Sequence, residues 1–580
     1  MGVEIAGAKI LAPGFGTSTF VWGSIIGLFM GSLAAGYYFG GMLADKKPEF
    51  AVLSTIVILA GVLTLLIPRY GPQLSNSIAQ MNLGPMIGPL LAAAALFFLP
   101  SFLMGMVSPY AVKLNASSLT GLGGVTGKLY ALSTFGSIVG TLLTTFLLIP
   151  HIFVSGVMQG LGLTLIVTAI FSLFLYKTAF SSLNQNERTG LGIMSLVALA
   201  CLELWVIFPV EPHVNREERL LHYEDSSYHE ILVTESVIQE LPKENINVLL
   251  PVKLWKSDAS SPGWMTEVKR SLKFNDNTES AIYPYRSQYL NAVSYTDLLH
   301  LPVLWLSDPP PRKILVVGGG GGIIPTQYHN WYGTQVDVAE IDPAVERVAK
   351  KYFQIPQTSD IRFHIGDGRQ TIKNMPPGSD YDVIVLDAYS SGSQIPFHLL
   401  TWEFMHEIKS KLSPRGILVT NIISALGNVA NPSISPAALF LAEYKTLKAT
   451  RSDVLRSHSD NPEDNIPLFK QLYVFPKISW VDSSPLSGPS LERSRNVVIV
   501  ATQEEQPRNL EQLIERGKAL TTGEKPLIKI PGLPALIDDL YLMGPKPDEL
   551  KNVPVMCDDY APVDTMYRAI KFEENSRLLY

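Results

Sequence analysis

Four stations in the middle of the chain combine residue types that can hold a nucleoside and move a proton. Residues 318–322 are five consecutive glycines, Glu340 follows 22 positions after the first of them, Asp367 sits between Gly366 and Gly368, and Asp387 closes the series. Gly318, Gly319, Gly320 and Gly322 allow a tight turn and let a ligand approach bare backbone. An acid at the spacing of Glu340 hydrogen-bonds both hydroxyls of a ribose. Asp367, with Gly368 behind it, can accept from an adenine amino group, and Asp387 stands where a substrate would react. For Asp367 and Asp387 the plainer alternative is capping of a following helix. The glycine run lacks the spaced G-x-G-x-x-G of dinucleotide binders. The set therefore suits a nucleoside thioether of the S-adenosylmethionine kind better than a dinucleotide.

Such a site needs strands to carry it. Short β-branched runs precede each station: 313–317 before the glycines, 335–341 around Glu340, 361–365 before Asp367 and 381–386 before Asp387. A fifth run covers 417–420, and 471–475 with 497–501 complete the set. Helical stretches such as 343–353 separate them, which predicts a parallel sheet with crossover helices and a ligand at the strands' carboxyl ends. Upstream, β-prone runs at 229–234, 246–252 and 270–275 predict a small antiparallel sheet, and the DPPPRK run at 308–313 a rigid break. Residues 426–470 and 503–556 carry no clear pattern.

The first 209 residues are of another kind. The chain's 580 residues have a mean hydropathy of +0.19 and only 17% charged residues, but that average hides a division. Residues 1–209 hold eight Lys or Arg and five acids, a charge of +3, which leaves -9 on the remainder. Runs at 20–43, 87–107, 129–150 and 152–176 are long enough to cross a bilayer, and 51–68 and 190–208 lie at the short end of that range. Six spans are predicted, repeated too often for a signal peptide. Glycines four apart, at 23/27/31, 36/40, 136/140 and 156/160, predict close helix packing within the bundle, or between copies of it. Glu203 is the ionisable residue well inside a span. Lys46, Lys47, Lys113, Lys128, Lys177 and Arg188 fall in loops on one side, against Lys9 and Arg69 on the other. With six spans, this places the soluble half on the outer face of a multi-pass cell-membrane protein.

The composition also excludes. Two cysteines, Cys201 and Cys557, make neither a disulfide scaffold nor a zinc site, and no metal is expected. An acidic soluble half argues against a nucleic-acid partner.

The motifs ILVVGGGGG, VAEIDPAV, IGDGR and YDVIVLDAYSS closely resemble those of spermidine synthases, the polyamine aminopropyltransferases. YEDSSYHE at 223–230 resembles the stretch opening their small β domain, and 294–301 the segment joining it to the sheet. CDDYAP at 557–562 and APGFGTS…VWGS…GYYFGGMLAD near the start resemble a membrane-fused branch, whose members often carry one further helix upstream of the segment matching 1–16. The resemblance implies a transporter-like helical bundle (1–209), a small β-rich subdomain (210–307) and a Rossmann-like domain of the methyltransferase and spermidine synthase fold (308–580). It implies aminopropyl transfer from decarboxylated S-adenosylmethionine to a diamine, with Asp387 as base and Tyr228, Tyr295 and Tyr389 binding substrate. Two positions depart from the family pattern. Gly321 stands where the GGGDG motif has an acid that grips the donor's ammonium, and Ser391 where DSSDP has its second acid. Another S-adenosylmethionine-dependent transfer, or a non-catalytic membrane scaffold or assembly subunit, therefore stays open. The partners expected are the lipid bilayer, a small amine and a homo-oligomer or membrane-complex neighbour.

Overall fold

Long apolar stretches with almost no charge satisfy their backbone hydrogen bonds within one segment when they form helices. The N-terminal third folds in this way in a computed structural model that describes residues 1–15, 19–81, 83–115, 122–149, 154–175, 217–226, 228–242, 264–274, 277–285, 294–376, 378–389, 395–426, 437–455, 461–476, 495–523, 526–530, 533–540, 544–551, 553–558, 561 and 563. The chain divides into two compact units. One is Met1–His213 with Asp225–Ser227, the other Val214–Glu224 with Tyr228–Tyr580.

The first unit contains helices α1 (Gly2–Phe15), α2 (Thr19–Lys46), α3 (Phe50–Gln80), α4 (Gly84–Asn115), α5 (Leu122–Leu143, continued by a π-helical turn Thr144–Leu148) and α6 (Val154–Leu175). Among the described residues, five segments are long and apolar enough to cross a membrane: Phe20–Lys46, Phe50–Ala79, Met86–Asn115, Gly123–Leu148 and Val154–Ser172. The sixth predicted run, 190–208 with Glu203, lies outside the described residues, as does Cys201. Helix α1 was not foreseen, because 14 residues fall short of a span. Its Val3, Ala6 and Leu11 are nevertheless buried in the bundle core with Phe29 of α2 and Phe97 of α4.

The glycine spacing predicted packing only in part. A Cβ at Gly36 would strike the Phe102 carbonyl, and one at Gly40 would lie 2.6 Å from the Met106 Cα, so α2 and α4 meet backbone to backbone. Gly61 of α3 and Gly162 of α6 form a second such contact. Gly23, Gly27, Gly31, Gly136, Gly140 and Gly160 face open space among the described residues. Spacing within one helix marks a smooth face, but a partner helix decides whether that face is used.

The second unit holds two sheets. Strands β1 (Glu218–Asp225), β2 (Glu230–Pro242), β3 (Trp264–Phe274) and β4 (Asn277–Ile282) form a four-stranded sheet in that order, with β2–β3 and β3–β4 antiparallel. The predicted strand at 246–252 lies outside the described residues, and β4 was not foreseen. The larger sheet contains β5 (Lys313–Val317), β6 (Gln335–Glu340), β7 (Ile361–Ile365), β8 (Tyr381–Leu386), β9 (Leu412–Ser424), β10 (Gln471–Pro476) and β11 (Arg495–Thr502). Their order is β10-β11-β9-β8-β5-β6-β7. Strands β5 to β9 are parallel to one another, while β11 runs antiparallel between β9 and β10. Helices α7 (Ile323–Tyr332), α8 (Pro343–Tyr352) and α9 (Gly368–Asn374) make the crossovers of the first half; α10 (Trp402–Lys409) and α11 (Ala438–Lys448) follow. Two apolar clusters sandwich the sheet, one around Leu315, Ile384 and Phe404, the other around Val316, Tyr328 and Val500. This is the Rossmann-like fold of methyltransferases and spermidine synthases, with a mixed sheet. Its winding reverses between β5 and β8, and a ligand crevice opens at the carboxyl ends of such neighbours.

Candidate active site

The reversal brings the end of β5 against the end of β8. Asp387 N donates to the Val317 carbonyl at 2.9 Å, and a Cβ added to Gly318, whose φ is +97°, would collide with the Asp387 carbonyl. Only glycine satisfies both the backbone angle and the close approach. The turn then passes Glu340 at the end of β6, which is 6% exposed. Gly319 N donates to Glu340 Oε2 at 2.8 Å, and Asp342 N donates to Oε1 at 2.9 Å. Burial raises the Glu340 carboxyl above its ordinary value, and these backbone donors offset part of that. The acid expected to meet a ribose is thus also the clasp that holds the glycine turn. Gly322 occupies the N-cap position of α7.

Asp367 performs the capping role that the sequence left open. Its Oδ1 accepts from Gln370 N at 3.0 Å, and Oδ2 pairs with His398 Nε2 at 2.9 Å. Burial works to raise this carboxyl, but the Gln370 and His398 hydrogen bonds outweigh it and hold the group below its ordinary value. Gly368 opens the helix. Behind it Arg369, 7% exposed, binds Glu407 of α10 at 2.8 Å and Asp558 at 2.6 Å. Thr401 Oγ1 donates to the same Asp558 at 2.7 Å. The CDDYAP motif therefore anchors the far end of the chain beneath the Asp367 corner, a task its sequence did not reveal.

Asp387 is held from two sides. Tyr295 OH, on the 3₁₀ segment Ser294–Leu304, donates to Oδ2 at 3.0 Å, and Asn421 Nδ2 of β9 donates to Oδ1 at 2.9 Å. Burial pushes the Asp387 carboxyl up, and the two hydrogen bonds return only part of the shift. Burial and the adjacent Asp387 drive the Tyr295 phenol well up, so it stays a neutral donor. Tyr389 OH donates at 2.8 Å to the carbonyl of the same Asn421, and its charge is among those that raise Tyr295. Two of the three predicted tyrosines are thus gathered at Asp387. Tyr228 is 44% exposed and is not among the groups that face Asp387 or Tyr295. Ser391 lies outside the described residues.

Gly321 is closed over by the small sheet. Its N–H donates to Ser280 Oγ of β4 at 2.9 Å. A Cβ there would lie 2.8 Å from Ser280 Cβ and 3.0 Å from Phe353, so the turn has no room for the acid that the resemblance implied. Sequence reasoning also missed Glu279, next to Ser280, whose carboxyl is raised by burial and then by the charge of Asp387. The polar NDN run at 275–277, between two apolar runs, is the sequence signal that could have suggested a second strand there.

With this geometry, comparison with known proteins becomes informative. Residues 293–426 match the spermine/spermidine synthase domain. That region contains the glycine turn, Glu340, Asp367, Asp387 and Tyr295. The polyamine aminopropyltransferase of Vibrio vulnificus is 44% identical over 92 residues, which cover 16% of this chain and 30% of that protein. Spermidine synthase 1 of Hyoscyamus niger is 26% identical over 242 residues, 41% of this chain and 64% of that one. The human eEF1A lysine and N-terminal methyltransferase is 32% identical over 97 residues, 15% of this chain and 14% of that protein. The chain spans less than two thirds of the length of each of these relatives. The α/β unit carries a spermidine synthase-like domain with methyltransferase neighbours.

Proposed function

We propose that this chain is a membrane-anchored transferase that takes an aminopropyl group from decarboxylated S-adenosylmethionine and passes it to an amine. The observation that carries this reading is the Gly318 turn pressed against Asp387, with Glu340 clasping its other side. An adenosyl sulfonium donor laid along the turn has its ribose hydroxyls at Glu340, its adenine toward Asp367 and its sulfonium toward Asp387. The amine nitrogen attacks the carbon next to sulfur. The N–C bond forms as the C–S bond breaks, the electron pair returns to sulfur, and neutral methylthioadenosine leaves. Asp387 takes the proton that the nitrogen sheds. A carboxyl raised by burial is the better proton acceptor, and Tyr295 and Asn421 fix its direction. Orientation supplies much of the remaining acceleration. The long apolar helices are the anchor in this reading.

The closed Gly321 favours a second reading, a transfer from S-adenosylmethionine of another specificity, because no acid on the turn selects the decarboxylated donor. Methylthioadenosine release by the detergent-solubilised full chain tests the first. Asp387→Asn lowers turnover with decarboxylated donor and diamine by roughly 10²- to 10⁴-fold while leaving methylthioadenosine affinity unchanged. Undiminished turnover removes Asp387 as the base, and turnover with S-adenosylmethionine alone favours the second reading.

A further inference from the structure

Strands β3 and β4 pair with one residue too many on β4. Leu272 is opposite Ser280 and Lys273 opposite Thr278, which leaves Glu279 as the unpaired residue of a bulge. A bulge re-aims a side chain that regular alternation would send to the other face. The residues after it fix where this stretch lies. Ser280 receives the Gly321 N–H, and Ala281 packs on Tyr295, the residue whose hydroxyl holds Asp387. Glu279 therefore enters the site from the small sheet, beside the turn that has no room for an acid of its own.

Burial, and after it the charge of Asp387, push the Glu279 carboxyl up to about 8. No basic side chain or hydrogen-bond donor among the described residues offsets them. Two carboxylates facing each other in an enclosed site are costly unless a proton or a cation lies between them. Glu279, Asp387 and Tyr295 nonetheless keep some accessible surface, as residues lining a cleft do. An enclosed, partly accessible pair of acids with hydrogen-bond donors on one member only is complementary to a primary ammonium group.

We propose that Glu279 is the substrate-ammonium ligand of this site, supplied by the β4 bulge in place of an acid on the glycine turn. This rests on the aminopropyl-transfer reading and deepens it. The ammonium belongs either to the aminopropyl arm of the donor or to the acceptor diamine, and binding measurements separate the two. The full chain in detergent is titrated with methylthioadenosine, which lacks the ammonium, with decarboxylated S-adenosylmethionine, and with 1,4-diaminobutane in the presence of methylthioadenosine. Glu279→Gln weakens either the decarboxylated donor or the diamine by roughly 10- to 100-fold and leaves methylthioadenosine binding unchanged. Loss with the donor assigns Glu279 to the aminopropyl arm; loss with the diamine assigns it to the acceptor. Cation affinity in the wild-type chain also rises as pH passes upward through Glu279's ionisation, and the Gln variant flattens that rise. Asp387, Tyr295 and Tyr389 also face this cluster, and all three are retained in the variant. Equal weakening of all three ligands, or of none, overturns the proposal. A wild-type chain that binds no methylthioadenosine overturns the transfer reading, and this proposal with it.

Discussion

The two units use glycine for opposite ends. Between α2 and α4, glycine removes a side chain so that two backbones touch, with ordinary helical angles throughout. At the end of β5, glycine supplies a backbone angle that other residues rarely adopt, and the space it leaves is filled by the Asp387 carbonyl. The first use builds stability and places no acid or base. The second sets Asp387 against the turn. Glycine runs in a sequence therefore do not by themselves report a site; the residues the glycine brings together do.

That contrast can be broken by experiment. Gly318→Ala meets both the strained angle and the Asp387 backbone. It should cost about 2–5 kcal/mol locally and abolish methylthioadenosine binding, read by calorimetry. Gly36→Ala collides with the Phe102 carbonyl and should cost about 1–3 kcal/mol of bundle stability, read as a lower melting temperature in detergent, with nucleoside affinity kept. If Gly36→Ala removed binding, or Gly318→Ala left it intact, the two uses would not be separate.

A smaller effect compares two buried glutamates of the α/β unit. Glu340 has backbone donors on both oxygens. Glu443 of α11 is fully buried with neither oxygen partnered among the described residues, and burial drives its carboxyl well up. The folded chain therefore keeps a proton on Glu443 that the unfolded chain releases. Its contribution is whole below the unfolded carboxyl's ordinary value and is lost as pH rises toward the folded one. Relative to Glu443→Gln, the wild-type chain should lose stability as pH rises above the ordinary carboxyl range, measured by thermal melting between about pH 6 and pH 8. A constant difference across that range would show that Glu443 has a partner.

Strands β5 to β8 were readable because β-branched runs end abruptly in glycine or acid, and Glu340, Asp367 and Asp387 were singled out by that punctuation. Glu279 was not, because NTESAI is polar and irregular and its value depends on a bulge set by pairing with β3. Arg369 and Asp558 lie 189 residues apart, so no local spacing could join them. The closure of Gly321 came from Ser280 and Phe353, residues outside the motif. Helix α1 escaped because its burial depends on neighbours rather than on its own length.

Transfer at the carboxyl end of the large sheet requires that it bind an adenosyl thioether. Titration of the detergent-solubilised full chain with methylthioadenosine, S-adenosylmethionine and decarboxylated S-adenosylmethionine measures that binding. Saturable one-to-one binding of methylthioadenosine, eliminated by Gly318→Ala, is expected. No binding of any of the three would contradict it.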